Sequence, residues 1–209
     1  MYNNPMKRCI LFSMPTPEVM EKIIPLIFPK ELEKKIVAYM PSDGADVISN
    51  EKYMPFWQDI CTKLDILDFN HIDNSKTGQN AEFEKEKLAR SNILIITGGN
   101  TYSLLNNIRN SGLDKEIIKL SEKDAAIIAG FSAGAAILTP TINIVSHSWS
   151  YGLDENRVDL KDLDGLGLVG FEVLPHFTSE DQNALEAYRK SCKYEVKPIA
   201  NSEFILVES

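Results

Sequence analysis

Apolar residues along this chain gather into short unbroken runs, separated by stretches in which they recur every three or four positions. Cys9-Ile10-Leu11-Phe12, Ile36-Val37-Ala38-Tyr39-Met40, the span from Leu64 to Phe69, Ile93-Leu94-Ile95-Ile96 and Ala125-Ala126-Ile127-Ile128-Ala129 are the runs. Strands covered on both faces read this way, because both alternating sets of side chains are buried. Between them lie helical faces: Val19, Met20, Ile23 and Ile24, then Phe56, Trp57, Ile60 and Leu64, then Leu104, Leu105 and Ile108. Thr16 can cap a first helix that Pro17 begins and Pro25 interrupts, and Pro55 suits the first turn of a second. Pro41-Ser42-Asp43-Gly44 are turn formers. Phe83 and Leu88, set among charges, predict a mostly solvated helix to Arg90, and Gly112 a helix stop before another helix over 113–122. Strands alternating with helices five times over predict one α/β domain across 1–209. It is a three-layer sandwich whose mostly parallel sheet carries helices on both faces and takes ligands at the strands' carboxyl ends.

Beyond Leu138 the rhythm changes. Residues 139–158 are rich in Thr, Ser, Asn and aromatics and predict a loop or hairpin over the sheet's carboxyl edge. The apolar stretch 166–174 leads to Pro175-His176-Phe177, Thr178 or Ser179 can cap a helix to about Lys190, and 198–200 and 204–207 predict closing strands.

Composition narrows the partners. The chain has 209 residues, 44% apolar and 25% charged, with a net charge of −8 and no basic block, which argues against nucleic acid and anionic membrane. Cys9, Cys61 and Cys192 are odd in number and lack the close spacing of a zinc or redox site, so they read as reduced thiols of a cytoplasmic protein. No apolar run approaches the ~20 residues needed to cross a bilayer. Neither a metal-ligand cluster nor a full dinucleotide or phosphate loop is present, and no cofactor is expected.

The chemistry centres on Gly130-Phe131-Ser132-Ala133-Gly134, which follows the fifth apolar run and precedes helix formers. A serine at the tip of such a strand-turn-helix elbow has an exposed hydroxyl, and glycines two positions to either side let strand and helix approach. The amide of Ala133 can stabilise charge developing on a carbonyl oxygen. Serine needs a base, and of His71, His147 and His176 the last has the rigid setting, after a proline at the end of an apolar stretch. An α/β-hydrolase would share the motif. However, His176 follows Ser132 by only 44 positions, and the chain ends at Ser209, too soon for the strands and acid loop of that fold.

Thr97-Gly98-Gly99-Asn100-Thr101, Gly130-Phe131-Ser132-Ala133-Gly134-Ala135, Thr139-Pro140-Thr141-Ile142 and Leu174-Pro175-His176-Phe177 together resemble the signature segments of the dipeptidase E (aspartyl dipeptidase) family of serine peptidases, related to cyanophycinases. The resemblance implies a flavodoxin-like fold similar to class I glutamine amidotransferases, with Ser132 as nucleophile, His176 as base, and Gly99 and Ala133 amides forming the oxyanion hole. It implies a short peptide as substrate, while the sequence leaves monomer and homodimer both open. Two positions depart from the family. Where the family has its triad aspartate this chain has His147, so the third member is open among His147, Asp154, Glu155 and Asp159. Glu172 would sit about 13 Å from His176 along a strand. Where the aspartyl-specific enzyme has arginine this chain has Asn143, with Arg157 or Arg189 as possible substitutes. The expected function is therefore a serine peptidase acting at the N-terminal residue of short peptides. A non-catalytic relative that binds a peptide or amino-acid-like ligand is the alternative, and an esterase or amidase on the same site a third.

Overall fold

Within each unbroken run, successive side chains feed two different cores. In the computed structural model, which describes residues 8–42 and 52–208, the elements in chain order are β1 (Arg8–Phe12), α1 (Pro17–Ile27), β2 (Ile36–Met40), α2 (Met54–Lys63), β3 (Asp68–His71), α3 (Gln79–Arg90), β4 (Ile93–Ile96), α4 (Thr101–Ser111), α5 (Leu113–Ser121), β5 (Ile127–Phe131), α6 (Ala133–Ile137), β6 (Glu172–Leu174), α7 (Gln182–Arg189), β7 (Val196–Pro198) and β8 (Phe204–Glu208). Ile93 and Ile95 of β4 pack with Val19, Ile23 and Ile27 of α1 and Trp57 of α2. Leu94 and Ile96 face the other way, into a core with Leu88 of α3, Leu104 and Ile108 of α4, Ile117 of α5 and the alanines of α6. The result is a three-layer α/β sandwich, flavodoxin-like in class.

The main sheet has the order β3-β2-β4-β5-β1-β8. Its first five members are parallel, and β8 closes the β1 edge antiparallel, Phe12 opposite Phe204. Parallel neighbours need long crossovers, which the helices supply. A second, two-stranded parallel sheet pairs β6 with β7.

Local chemistry shifts several predicted boundaries. Thr16 caps α1, accepting from the Val19 amide, yet the helix runs through Pro25 to Ile27. Pro25 lies in the last turns, and the carbonyl its ring leaves unpaired belongs to Glu21 on the exposed side. The run from Leu64 is not strand at first. Leu64 closes α2, Asp65 takes a left-handed φ of 55°, and Leu67 is 95% exposed. β3 begins at Asp68 and includes His71. β5 lies two residues later than its apolar run suggests, because Ala125 has a left-handed φ of 58° and the register with β1 pairs Gly130 with Leu11. Much of 166–174 returns to α6 and the residues after it, the Leu166 amide donating to Ile137 O and that of Leu168 to Leu138 O, so only Glu172–Leu174 is strand. Asp43 and Gly44 of the predicted turn lie outside the described residues.

Candidate active site

The elbow is a backbone device. β5 ends at Phe131, and Ser132 takes φ 52°, ψ −116°, a conformation that costs a residue with a Cβ about 1–3 kcal/mol. It is held there by its amide, which donates to the carbonyl of Phe12 on β1 at 3.0 Å. The flanking glycines are sterically required. A Cβ on Gly130 would lie 2.4 Å from the carbonyl oxygen of Gly134, and one on Gly134 would lie 2.4 Å from that of Ile96. Because α6 presses so closely on the end of β4, the turn after β4 abuts the elbow. A Cβ on Gly98 would sit 2.9 Å from Cβ of Ser132. Gly99 follows with φ 149°, and neither its amide nor that of Ala133 has a protein acceptor among the described residues.

His176 is fixed with equal firmness from the far side. It also has a left-handed φ, 59°. Its amide donates to Oγ of Ser13 at 3.0 Å, and that hydroxyl donates onward to the carbonyl of Ile199 at 2.7 Å. Ser13, fully buried and next to Phe12, thus joins the segment holding the serine to the segment holding the histidine. The imidazole Nε2 lies 2.8 Å from Oγ of Ser132. Nδ1 lies 2.8 Å from Oδ1 of Asn201, in the turn between β7 and β8. With Nε2 accepting from the hydroxyl, Nδ1 carries the ring proton and donates to the amide oxygen. Tyr151 covers the imidazole, ring centroids 5.1 Å apart. Burial pushes the imidazole pKa below its usual range, and the bond to Asn201 opposes this.

The residues open for the third position lie elsewhere. His147 packs edge-on against Tyr188, centroids 4.8 Å apart. The Tyr188 hydroxyl in turn donates to buried Glu172 at 2.6 Å. Asp159 is exposed beside Lys161, and Glu155 pairs with Arg157 on the surface at 2.9 Å. Asp154 does reach the site but not the imidazole. Its Oδ1 accepts from Nδ2 of Asn100 at 2.6 Å and its Oδ2 from the Thr101 amide at 2.7 Å, at the start of α4. Asn143 is exposed, and Arg189 is bound to Glu186 and the Val196 carbonyl. His71, at the edge of the sheet, lies against Tyr39. The partner of His176 that sequence reading missed is Asn201. It lies 25 positions beyond the histidine, in a short turn with no motif around it.

Ser132, His176, Gly99, Ala133, Thr101, Tyr151 and Asp154 share the wall of one cleft of about 180 Å³. That is below the range for drug-sized ligands and suits a small occupant. Among the described residues, no three His, Cys, Asp or Glu side chains gather as metal ligands, and no helix is long and apolar enough to cross a membrane.

An α/β sandwich with a serine on a strained elbow beside a histidine defines a class of hydrolase-like proteins, and comparison with known proteins narrows it. The model of peptidase family S51 matches residues 13–208, and the chain belongs to that family, which makes it a peptidase. It is 30% identical over 195 residues to an uncharacterized peptidase of Listeria innocua, covering 88% of this chain and 87% of that protein. A shorter match, 37% identical over 94 residues, is to Peptidase E of Salmonella arizonae, covering 45% of this chain and 38% of that protein. In structure it is similar to a candidate Peptidase E protein of Listeria monocytogenes EGD-e, with a TM-score of 0.72, 27% identity, and 98% of this chain and 95% of that one covered. A peptidase from an acI-B1 actinobacterium shares the fold, with a TM-score of 0.68 at 18% identity, covering 99% and 85% of the two chains.

Proposed function

We propose that this chain is a serine peptidase that removes the N-terminal residue from short peptides through an acyl-enzyme on Ser132. The observation that carries this reading is the 2.8 Å approach of Ser132 Oγ to His176 Nε2, made by two residues that both hold costly positive-φ backbone. In the acylation step His176 accepts the hydroxyl proton as Oγ bonds to the scissile carbonyl carbon. The imidazolium then protonates the leaving amine as the C–N bond breaks. Water repeats the sequence on the ester. The Gly99 and Ala133 amides, without protein acceptors of their own, are suited to the oxyanion. Asn201 orients the imidazole and selects its tautomer without adding charge, as an asparagine does beside the histidine of papain-like proteases. The test is a dipeptide panel together with a fluorophosphonate probe. The wild type should turn over at least some free-amine dipeptides and label at Ser132, and Ser132→Ala should lose both while keeping its thermal midpoint. Unchanged turnover in Ser132→Ala would remove the mechanism.

The second reading is a binder that has kept the cleft. The observation that favours it is the absence of a carboxylate at His176 Nδ1, where an amide stands instead. Complete inertness of Ser132 toward the probe would select it.

A further inference from the structure

The cleft has an electrostatic sign that the serine and histidine do not explain. Of the described residues on its wall, Asp154 is the one carboxylate, and none is lysine or arginine. Asp154 stands on the loop after the 143–146 turn, and its carboxylate is clamped by Asn100 and Thr101 at 2.6 and 2.7 Å. Asn100 is itself held, its Oδ1 accepting from the Ser103 amide as the cap of α4 at 2.9 Å and its Nδ2 also donating to the Glu155 carbonyl at 2.8 Å. The carboxylate is therefore fixed in direction, and two clamping bonds use only part of its capacity of roughly four acceptor sites. Burial raises its pKa, and the bonds from Thr101 and the more distant Arg157 pull the other way. Tyr151, three residues before it on the same loop, has its phenol pushed upward by burial and then by Asp154 and Asp181. The nearest guanidinium, Arg157, is already paired with Glu155 on the surface.

The position of this charge relative to the reacting atoms follows from the chain. Asp154 is bound to the amide of Thr101, two residues beyond Gly99, and consecutive Cα atoms are about 3.8 Å apart. The carboxylate thus lies within about 10 Å of the Gly99 amide. In an N-terminal residue the ammonium is borne on the carbon next to the scissile carbonyl. A carbonyl oxygen held at Gly99 places that ammonium in the same cleft whose wall carries the Asp154 carboxylate.

We propose that Asp154 is the binding residue for the free α-ammonium of the substrate, so that the cleft selects peptides by a positive N-terminus and rejects N-acylated peptides and those whose first residue brings a carboxylate against it. This rests on the peptidase reading above and adds to it the group that makes the enzyme an exopeptidase. Aspartyl substrates are disfavoured for the same reason, since the wall offers them a like charge and, among the described residues, no cation.

The experiment compares alanyl and N-acetylalanyl p-nitroanilides, and also aspartyl p-nitroanilide, on wild type and Asp154→Asn. The wild type should prefer the free-amine alanyl substrate over both others, with kcat/KM falling above about pH 8 as the substrate ammonium deprotonates. Asp154→Asn should lose about 30-fold or more in kcat/KM for that substrate, chiefly in KM, and with it the preference for the free-amine alanyl substrate over the N-acetyl and aspartyl ones. A variant that keeps the wild-type preference, or that loses kcat alone with KM unmoved, overturns the proposal. Should the variant fail to fold, wild-type protection decides: alanine amide should slow labelling of Ser132 and N-acetylalanine amide should not, and equal protection refutes the assignment. A wild type that neither labels nor hydrolyses any of these compounds refutes the peptidase reading instead, an outcome distinct from labelling without ammonium preference.

Discussion

The bond between His176 Nδ1 and Asn201 Oδ1 leads to a quantitative prediction for Asn201→Asp. The substitution is nearly isosteric and puts a full negative charge where a neutral amide oxygen now stands, 2.8 Å from the ring nitrogen. With the charge centres about 4 Å apart, an effective dielectric of about 20 gives an attraction of about 4 kcal/mol for the imidazolium. Asn201 is exposed, so solvent screening reduces this by half or more. Burial now holds the His176 pKa below its ordinary value, so the wild-type kcat/KM should reach its plateau at a pH below the usual histidine range. The new carboxylate favours the charged ring, so the acidic limb should move up by about 1–2 pH units. The same interaction stabilises the imidazolium formed in the transition state, so the plateau should rise by about 10- to 100-fold. The gain is smaller than the roughly 10⁴-fold cost of the reverse change in the Ser-His-Asp template, because that cost includes a wrong tautomer and here the tautomer is already right. Rates measured from pH 4 to 9 on an alanyl p-nitroanilide decide the matter. An unmoved limb with an unmoved plateau would refute the coupling of Asn201 to the imidazole.

The same geometry sets three further expectations. Ser13→Ala removes the hydroxyl joining the His176 amide to the Ile199 carbonyl and should cost about 1–3 kcal/mol in urea unfolding together with at least a tenfold loss of kcat; wild-type turnover would show that the histidine segment is held by other means. Gly134→Ala should gain about 1 kcal/mol of helix propensity but lose about 3 kcal/mol or more to the 2.4 Å clash with the Ile96 carbonyl, so the urea midpoint should fall, and an unchanged or raised midpoint contradicts the close approach of α6 to β4. Asp181 is buried, which raises its pKa, but bonds from the backbone and hydroxyl of Ser150 and Thr178 outweigh this and leave it lowered. A depressed folded pKa gives stability that is present above the unfolded value of about 3.9 and is lost as pH falls through the folded one. Asp181→Asn should therefore lower stability at pH 7 and flatten its acid dependence between pH 5 and 2, as followed by circular dichroism.

The parts of this protein that were legible in sequence are those whose causes are local. The apolar runs mark the strands, residues 64–67 and 125–126 apart, because both faces of a parallel sheet are covered. The elbow is visible because its two glycines answer a steric demand that recurs wherever a strand turns sharply into a helix. His176 could be chosen among three histidines because its neighbours make a rigid mount. Asn201 had no such signal. It reaches the imidazole because β6 pairs with β7 and β8 returns antiparallel along β1, and no local pattern records a pairing between distant segments. Asp154 was open as the acid because carboxylates near the serine in sequence are natural candidates. The cap of α4 takes it instead, a choice made by where the loop crosses the helix.

Ser132 and His176 each sit in strained backbone, and the two strained residues are tied to adjacent residues of the same strand end: the Ser132 amide to the Phe12 carbonyl, the His176 amide to the Ser13 hydroxyl. Their approach is therefore set by the Phe12 carbonyl and the Ser13 hydroxyl at the end of β1, and both bonds hold the backbone without a charged third residue. In a site positioned by side-chain attraction, replacing the acid with an amide would let the imidazole turn away. Here the ring is already aimed, and the third residue is left with choosing the tautomer and tuning the charge. Such a frame is compatible with an amide rather than a carboxylate behind His176, the position that Asn201 fills from the far end of the chain.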